Sequence, residues 1–226
     1  MDSVLAGILK DIGRNWQSVL SQEVNIQNVG KGYDDCPEKE WIMELKNILK
    51  DGTELKKQVY ALYEEAFPAE EKKPISLMEH LAEQGQMELL AVTDQGEFVG
   101  LVFNMMDGNT ALLDYFAISP EKRNGGYGSK TLKLLLERFH SNKYIFEIEM
   151  QDEKAENARD RRRRKAFYLR NGLKETGLFA NVYETDFELL TTDGSLTYDE
   201  YTGFLERILG EEGVRVLNPS LISQLP

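Results

Sequence analysis

Apolar residues recur at helical spacing in the first stretch of the chain, where Val4, Leu5, Ile8, Leu9, Ile12, Trp16, Val19 and Leu20 share one face of residues 3–21. The pattern predicts a strongly amphipathic helix, followed by a polar, Gly-containing linker, VNIQNVGKGYDDCPEKE. WIMELKNIL (41–49) fits a strand or a helix, because Met43 and Leu45 alternate with Glu44 and Lys46. ELKKQVYALYEEAF (54–67) reads as a helix closed by Pro68, and a second helix is predicted over 75–85 with Ile75, Leu77, Met78 and Leu81 inward. The pattern then changes to three strands, MELLAVT, EFVGLVFNM and TALLDYFAI, joined by the tight turns DQG and DGN.

Beyond them, 131–140 reads as a helix, KYIFEIEM (143–150) as a strand and 155–171 as a charged helix stopped by Asn171-Gly172. NVYETDFELL (181–190) reads as one further strand and 198–209 as a last helix. Hairpins and helical crossovers in this order give an α/β (α+β) layered domain, a mixed sheet covered by helices.

Composition narrows the chemistry. With 226 residues the chain can bury a core without staples. Its 39 acidic against 27 basic residues give a net charge of −12, which argues against a general nucleic-acid binder and suits a cationic ligand. One cysteine, Cys36, excludes an intrachain disulfide, and two histidines, His80 and His140, are too few for a three-histidine metal site. No metal is expected. No run approaches ~18 apolar residues and the N-terminus does not resemble a signal peptide, so no membrane span and a cytoplasmic location are expected.

The most informative segment is ALLDYFAISPEKRNGGYGSKTLKLLLERF (111–139). A strand runs into a turn containing Gly125, Gly126 and Gly128, and a helix opens at once. Glycines let backbone approach a ligand, and a helix start offers unpaired N–H groups to a phosphate. The alternative is a turn that merely connects strand to helix. The spacing matches neither G-x-x-x-x-G-K-[ST] nor G-x-G-x-x-G. Arg123-Asn124-Gly125-Gly126-Tyr127-Gly128 does match the R/Q-x-x-G-x-G/A signature, and here the chain resembles the GNAT family of acyl-CoA-dependent N-acetyltransferases. From Met43 onward MELKNIL, ELKKQVYALYEEAFP, AVTDQGEFVGLVFNM, DYFAISPEKRNGGYGS and RRKAFYLRNGL resemble the family's successive motifs, in the family's order.

The resemblance implies a GNAT fold with a mostly antiparallel central sheet and acetyl-CoA as co-substrate. It implies that the backbone of Asn124, Gly125, Gly126, Tyr127, Gly128 and Ser129 binds the CoA pyrophosphate beside Arg123, and that Phe116, Ala117 and Ile118 pair with the pantetheine arm. It places Tyr168 where many members have a tyrosine that protonates the leaving sulfur; otherwise Tyr168 is an ordinary core aromatic. A backbone N–H near Ala117 or Ile118 would polarise the thioester oxygen. For the base, Glu149 and Asp114 are the best carboxylates, unless both are simply polar-face residues. Glu147 and Glu149 point the same way along their strand, so two carboxylates can line one amine pocket.

The run Arg161-Arg162-Arg163-Arg164-Lys165 points all round a helix, so it reads as a solvated helix with internal ion pairs, or in part as contacts to the 3′-phosphate end of CoA. Lys165 and Arg161 depart from the apolar residue and the Asn common in relatives. Residues 1–40 have no counterpart in the family core, and their apolar face needs a partner: this domain, a second subunit such as a homodimer partner or, least favoured because the polar face has no basic cluster, a membrane surface. The organisation expected is an extension over 1–40, an acetyltransferase core over 41–192 and a C-terminal helix and tail over 193–226. The function expected is N-acetylation of a small cationic amine such as a polyamine or aminoglycoside. The rivals are a non-catalytic acyl-CoA-binding protein that keeps the fold and, on the Gly loop alone, a nucleotide-phosphate enzyme.

Overall fold

Strands, turns and helices follow one another in a computed structural model that describes residues 42–50 and 53–222. The amphipathic helix expected over 3–21, the linker after it and Cys36 lie outside those residues. Strand β1 (Met43–Asn47) resolves the ambiguous segment as extended chain. Helices α1 (Thr53–Ala66) and α2 (Ile75–Glu83) follow, then β2 (Met87–Asp94), β3 (Glu97–Asp107) and β4 (Thr110–Ile118). Next come α3 (Tyr127–Arg138), β5 (Lys143–Glu149), α4 (Ala158–Arg170), β6 (Lys174–Val182), β7 (Thr185–Thr191), α5 (Tyr198–Leu217) and the short β8 (Ser220–Leu221). Among the described residues they form an eight-stranded sheet in the order β1-β2-β3-β4-β5-β7-β6-β8, antiparallel except where β4 meets β5.

Both faces of the sheet are covered, which is why β2 and β3 carry near-continuous apolar runs rather than clean alternation. Leu89 and Ala91 of β2 join one core with α1, α2 and α5, built around Tyr63, Met78, Phe103, Tyr201 and Phe204. Leu90 and Val92 turn the other way, into a second core with α3 and α4 that contains Leu132, Leu135, Tyr144, Phe146 and Tyr168.

Three boundaries differ from the sequence reading. The single strand expected over 181–190 is a hairpin, β6 and β7, whose two-residue turn is Tyr183-Glu184 with φ of 50° and 62°. Turns of this hand normally take Asn-Gly or Asp-Gly, so the turn carried no sequence signal, and a register shift between Glu175 and Phe179 broke the alternation of β6. Helix α3 starts at Tyr127 rather than 131, so the last glycine of the loop lies in the first helical turn. The final helix does not stop at 209: Gly210 breaks it with φ 70° and ψ 173°, and helix resumes to Leu217. Its start is sealed by a reciprocal Thr197–Glu200 capping box.

Phe103 of β3 sits opposite Tyr115 but Asn104 opposite Leu113, so Asp114 is an extra residue in β4, a β-bulge. The bulge reverses the alternation: Leu112 and Tyr115 share one core, Leu113 and Phe116 the other. On its other edge β4 pairs with β5 only from Thr110↔Lys143 to Leu113↔Phe146. Past that point the two parallel strands part.

Candidate active site

Where β4 and β5 separate, a cleft of about 460 Å³ opens through the sheet. Its walls include Asp114–Ile118 of β4, Glu147 and Glu149 of β5, Tyr168 and Arg164 of α4, and Tyr201, Leu205 and Leu209 of α5. The two cores divide this lining. Phe116, Ile118, Phe146 and Tyr168 belong to the α3–α4 side, whereas Phe67, Leu77, Phe187, Leu205 and Leu209 belong to the α1–α2–α5 side.

Three carboxylates reach the cleft from the strands, in three different states. Asp114, at the bulge, forms an ion pair with Lys73, whose Nζ lies 2.6 and 2.9 Å from its two oxygens. Lys73 is itself fixed: its backbone N–H donates to the Tyr115 hydroxyl at 3.1 Å, and its carbonyl accepts from the Tyr63 hydroxyl at 3.0 Å. Glu149 is held by Arg161 and Arg164, each at 3.0 Å, and by the Asn157 side-chain amide at 3.1 Å. Glu147 has no cation within ion-pairing distance among the described residues. The Tyr201 hydroxyl donates to it, and burial, the largest cause, pushes its carboxyl up to about 6.

From the sequence, Glu147 is expected on the amine pocket, while Glu149 and Asp114 are the candidate bases. The signal for Glu147 was a lone acid inside the otherwise apolar run YIFEI, on a strand with covered neighbours. Tyr201 and Lys73 gave none, since both lie far from the cleft in sequence.

The arginine run has an acidic partner at every position. Arg162 meets Glu153 and Arg163 meets Asp160 at 3.8 Å, pairs close to the surface. Arg161 and Arg164 instead tie α4 to β5 through Glu149, and Lys165 ties it to β7 through the buried Glu188 at 2.7 Å. Helix α4 is thereby held by charge along the side that presents Tyr168. The Tyr168 ring packs edge-on to Phe146 with centroids 5.3 Å apart. Its hydroxyl makes no hydrogen bond among the described residues, and burial raises its pKa above the usual phenol range.

The cleft lining extends to Arg123; three residues further along the chain Gly126 caps α3 with φ 80° and no side chain caps the helix, so its first N–H groups are not taken up by a capping side chain. Asn124 shares the left-handed conformation, with φ 62°. The Arg123 Nε donates to the Ile118 carbonyl at 3.1 Å, bending the loop back to the end of β4. From Asp114 to Ile118 no strand pairs with the cleft-side edge of β4 among the described residues. An uncapped helix start beside an unpaired strand edge suits a long ligand that begins in a diphosphate and continues in an amide-bearing arm.

A family model described as "Acetyltransferase (GNAT) family" matches residues 56–172, just over half of the chain. The chain belongs to the GNAT acetyltransferase family. Among solved structures, this GNAT acetyltransferase is similar to a protein from Bacteroides thetaiotaomicron assigned to the same family, at 21% identity and a TM-score of 0.57, covering 77% of this chain and 97% of that one. It is also similar to an aminoglycoside 6′-N-acetyltransferase complexed with coenzyme A, at 18% identity, a TM-score of 0.50 and coverage of 66% and 95%. An aminoglycoside 6′-N-acetyltransferase from Enterococcus faecium gives 17%, 0.50 and coverage of 66% and 95%. These likenesses concern the fold. No curated protein matches the sequence. Among the described residues, no helix is long and apolar enough to cross a membrane and no group of three potential ligands is arranged for a metal ion.

Proposed function

We propose that this GNAT acetyltransferase transfers an acetyl group from acetyl-CoA to the primary amine of a small acceptor, by direct attack while both are bound. The observation that carries this reading is the parting of β4 and β5, which gathers an open strand edge, Glu147 and Tyr168 around one cleft whose lining reaches Arg123, just ahead of the uncapped start of α3 in the chain. Acetyl-CoA, when bound, supplies an acetyl group activated as a thioester.

The chain's own residues divide the remaining work. Backbone N–H groups of residues 124–129 hold the diphosphate, with Arg123 beside it. The edge of Phe116–Ile118 aligns the pantetheine arm, and an N–H near Ala117 or Ile118 meets the oxygen on which negative charge develops. Glu147 accepts the proton lost by the attacking amine, since a base near pH 6–7 suits proton transfer at neutral pH. Tyr168, protonated at neutral pH, donates to the departing sulfur. In this reading Asp114 and Glu149 act as anchors, one fixing the Lys73 segment and the other the helix that carries Tyr168.

Thermal unfolding tests the reading directly. At ~100 times its dissociation constant acetyl-CoA stabilises the fold by about 2.7 kcal/mol, which for a chain of this size raises Tm by roughly 5–10 °C, and adenosine diphosphate does less. No shift with acetyl-CoA removes the cofactor assignment. In the same preparation Tyr168→Phe retains that shift and loses about 10²-fold in kcat. An unchanged kcat takes Tyr168 out of the mechanism.

A further inference from the structure

The charges lining the cleft nearly cancel, and the place where they do not is narrow. Its lining contains the carboxylates of Glu71, Asp114, Glu147 and Glu149 and the cations Lys73, Arg123 and Arg164, one negative charge in excess until Arg161, which reaches Glu149 from outside the lining, is counted. Asp114 is neutralised by Lys73, and Glu149 by Arg161 and Arg164. Glu71 is engaged as well. That leaves Glu147, met by the neutral Tyr201 hydroxyl, as the carboxylate that an incoming ammonium group can pair with.

The wall around it on the α1–α2–α5 side is mostly apolar, and its charged members Glu71 and Lys73 are already engaged. Phe67, Leu77, Phe187, Leu205, Leu209 and Leu217 line the cleft and pack into or against the same core. A second ammonium group placed among them would lose its water and gain no partner, a cost that rises steeply with burial. An alkyl or aromatic body would instead be stabilised there in proportion to its buried area. The cleft, at about 460 Å³, must also admit the acyl donor, so the acceptor's body is small.

We infer that the acceptor is a small monoamine with an apolar body, its amine at Glu147 and its hydrocarbon part against the leucine and phenylalanine wall, and not a polyamine or other polycation. This rests on the acetyltransferase reading above and narrows its acceptor class.

A matched pair of acceptors tests it on the unaltered full chain: hexylamine and hexane-1,6-diamine share reach and reacting group and differ in one distant charge. With acetyl-CoA present, kcat/KM for hexylamine exceeds that for the diamine by ~10-fold or more, which corresponds to at least about 1.4 kcal/mol. Equal rates, or a preference for the diamine, overturn the inference. So does inertness of both amines while acetyl-CoA still raises Tm, because the cofactor reading then stands and the acceptor class alone has failed. If acetyl-CoA leaves Tm unchanged, the acetyltransferase reading falls and the inference with it. In a variant of the chain, Leu217→Glu puts a carboxylate on a half-buried part of the apolar wall. It shrinks the hexylamine-to-diamine ratio severalfold, and a folded Leu217→Glu protein with the parent ratio also overturns the assignment.

Discussion

Glu147→Gln lowers kcat by about 10²–10³-fold, the usual scale for losing a positioned general base, and leaves the acetyl-CoA-induced rise in Tm intact. The reason for expecting so clean a separation is the environment of the side chain. The amide oxygen of Gln still accepts the Tyr201 hydroxyl, so the substitution leaves that buried donor satisfied. It also removes a carboxylate that the fold holds at a cost. The Glu147 carboxyl rises from an ordinary 4.5 to about 6 in the folded protein, chiefly through burial. A raised folded-state value means that the native chain binds the proton more tightly than the unfolded chain. The stability contributed by this group is therefore complete below pH ~4.5 and is lost as pH climbs through about 6.

Two readouts follow from that sign. At pH 7–8 the Gln variant unfolds at the same temperature as the parent or higher, despite its poor turnover. The parent's kcat/KM falls as pH drops through about 6, where Glu147 takes up a proton and stops serving as base, and the variant lacks this limb. Parent-like turnover of Glu147→Gln would assign the proton to another group or to water.

Gly100→Ala destabilises the fold by about 3 kcal/mol, lowering Tm by roughly 6–12 °C. A Cβ on Gly100 would lie 2.3 Å from the Ala117 carbonyl oxygen and 3.1 Å from the Ile118 Cα. Backbone cannot swing aside as a side-chain end can, so β3 and β4 must separate at this point. The displaced residues belong to the open edge of β4, and the Tm gain from acetyl-CoA shrinks along with the stability. Gly128→Ala is the contrast, because its Cβ would meet the Phe167 ring at 3.5 Å, an ordinary contact, and alanine favours helix. Differential scanning of both variants, each with and without acetyl-CoA, checks the pair. A Gly100→Ala protein with parental Tm would mean that the strands part more cheaply than their closeness implies.

Much of this architecture was legible in the chain because local chemistry and tertiary role agree. The apolar runs of β2 to β4, the DQG and DGN turns and the glycine loop before α3 each carry their own signal. Elements that depend on packing did not. Tyr183-Glu184 adopts a left-handed turn without glycine or asparagine, so two strands looked like one. The bulge at Asp114 is invisible in sequence, yet it decides which way Tyr115 and Phe116 face. The site was half legible for the same reason. Backbone cradles announce themselves through glycine, whereas which of three carboxylates stays unpaired depends on Lys73, Arg161, Arg164 and Tyr201 arriving from elsewhere in the chain.

The division of the cleft between two cores has a consequence for substitutions. The open edge of β4, the glycine loop and Tyr168 all fall within residues 56–172, the span that matches the family. Phe187, Leu205, Leu209 and Leu217 fall after it, on β7 and on the helix that bends at Gly210. On the proposed reading, substitutions in the last fifty or so residues alter part of the apolar wall without touching the glycine loop or the open edge of β4, whereas Phe67, Leu77 and Glu147 lie inside the matched span.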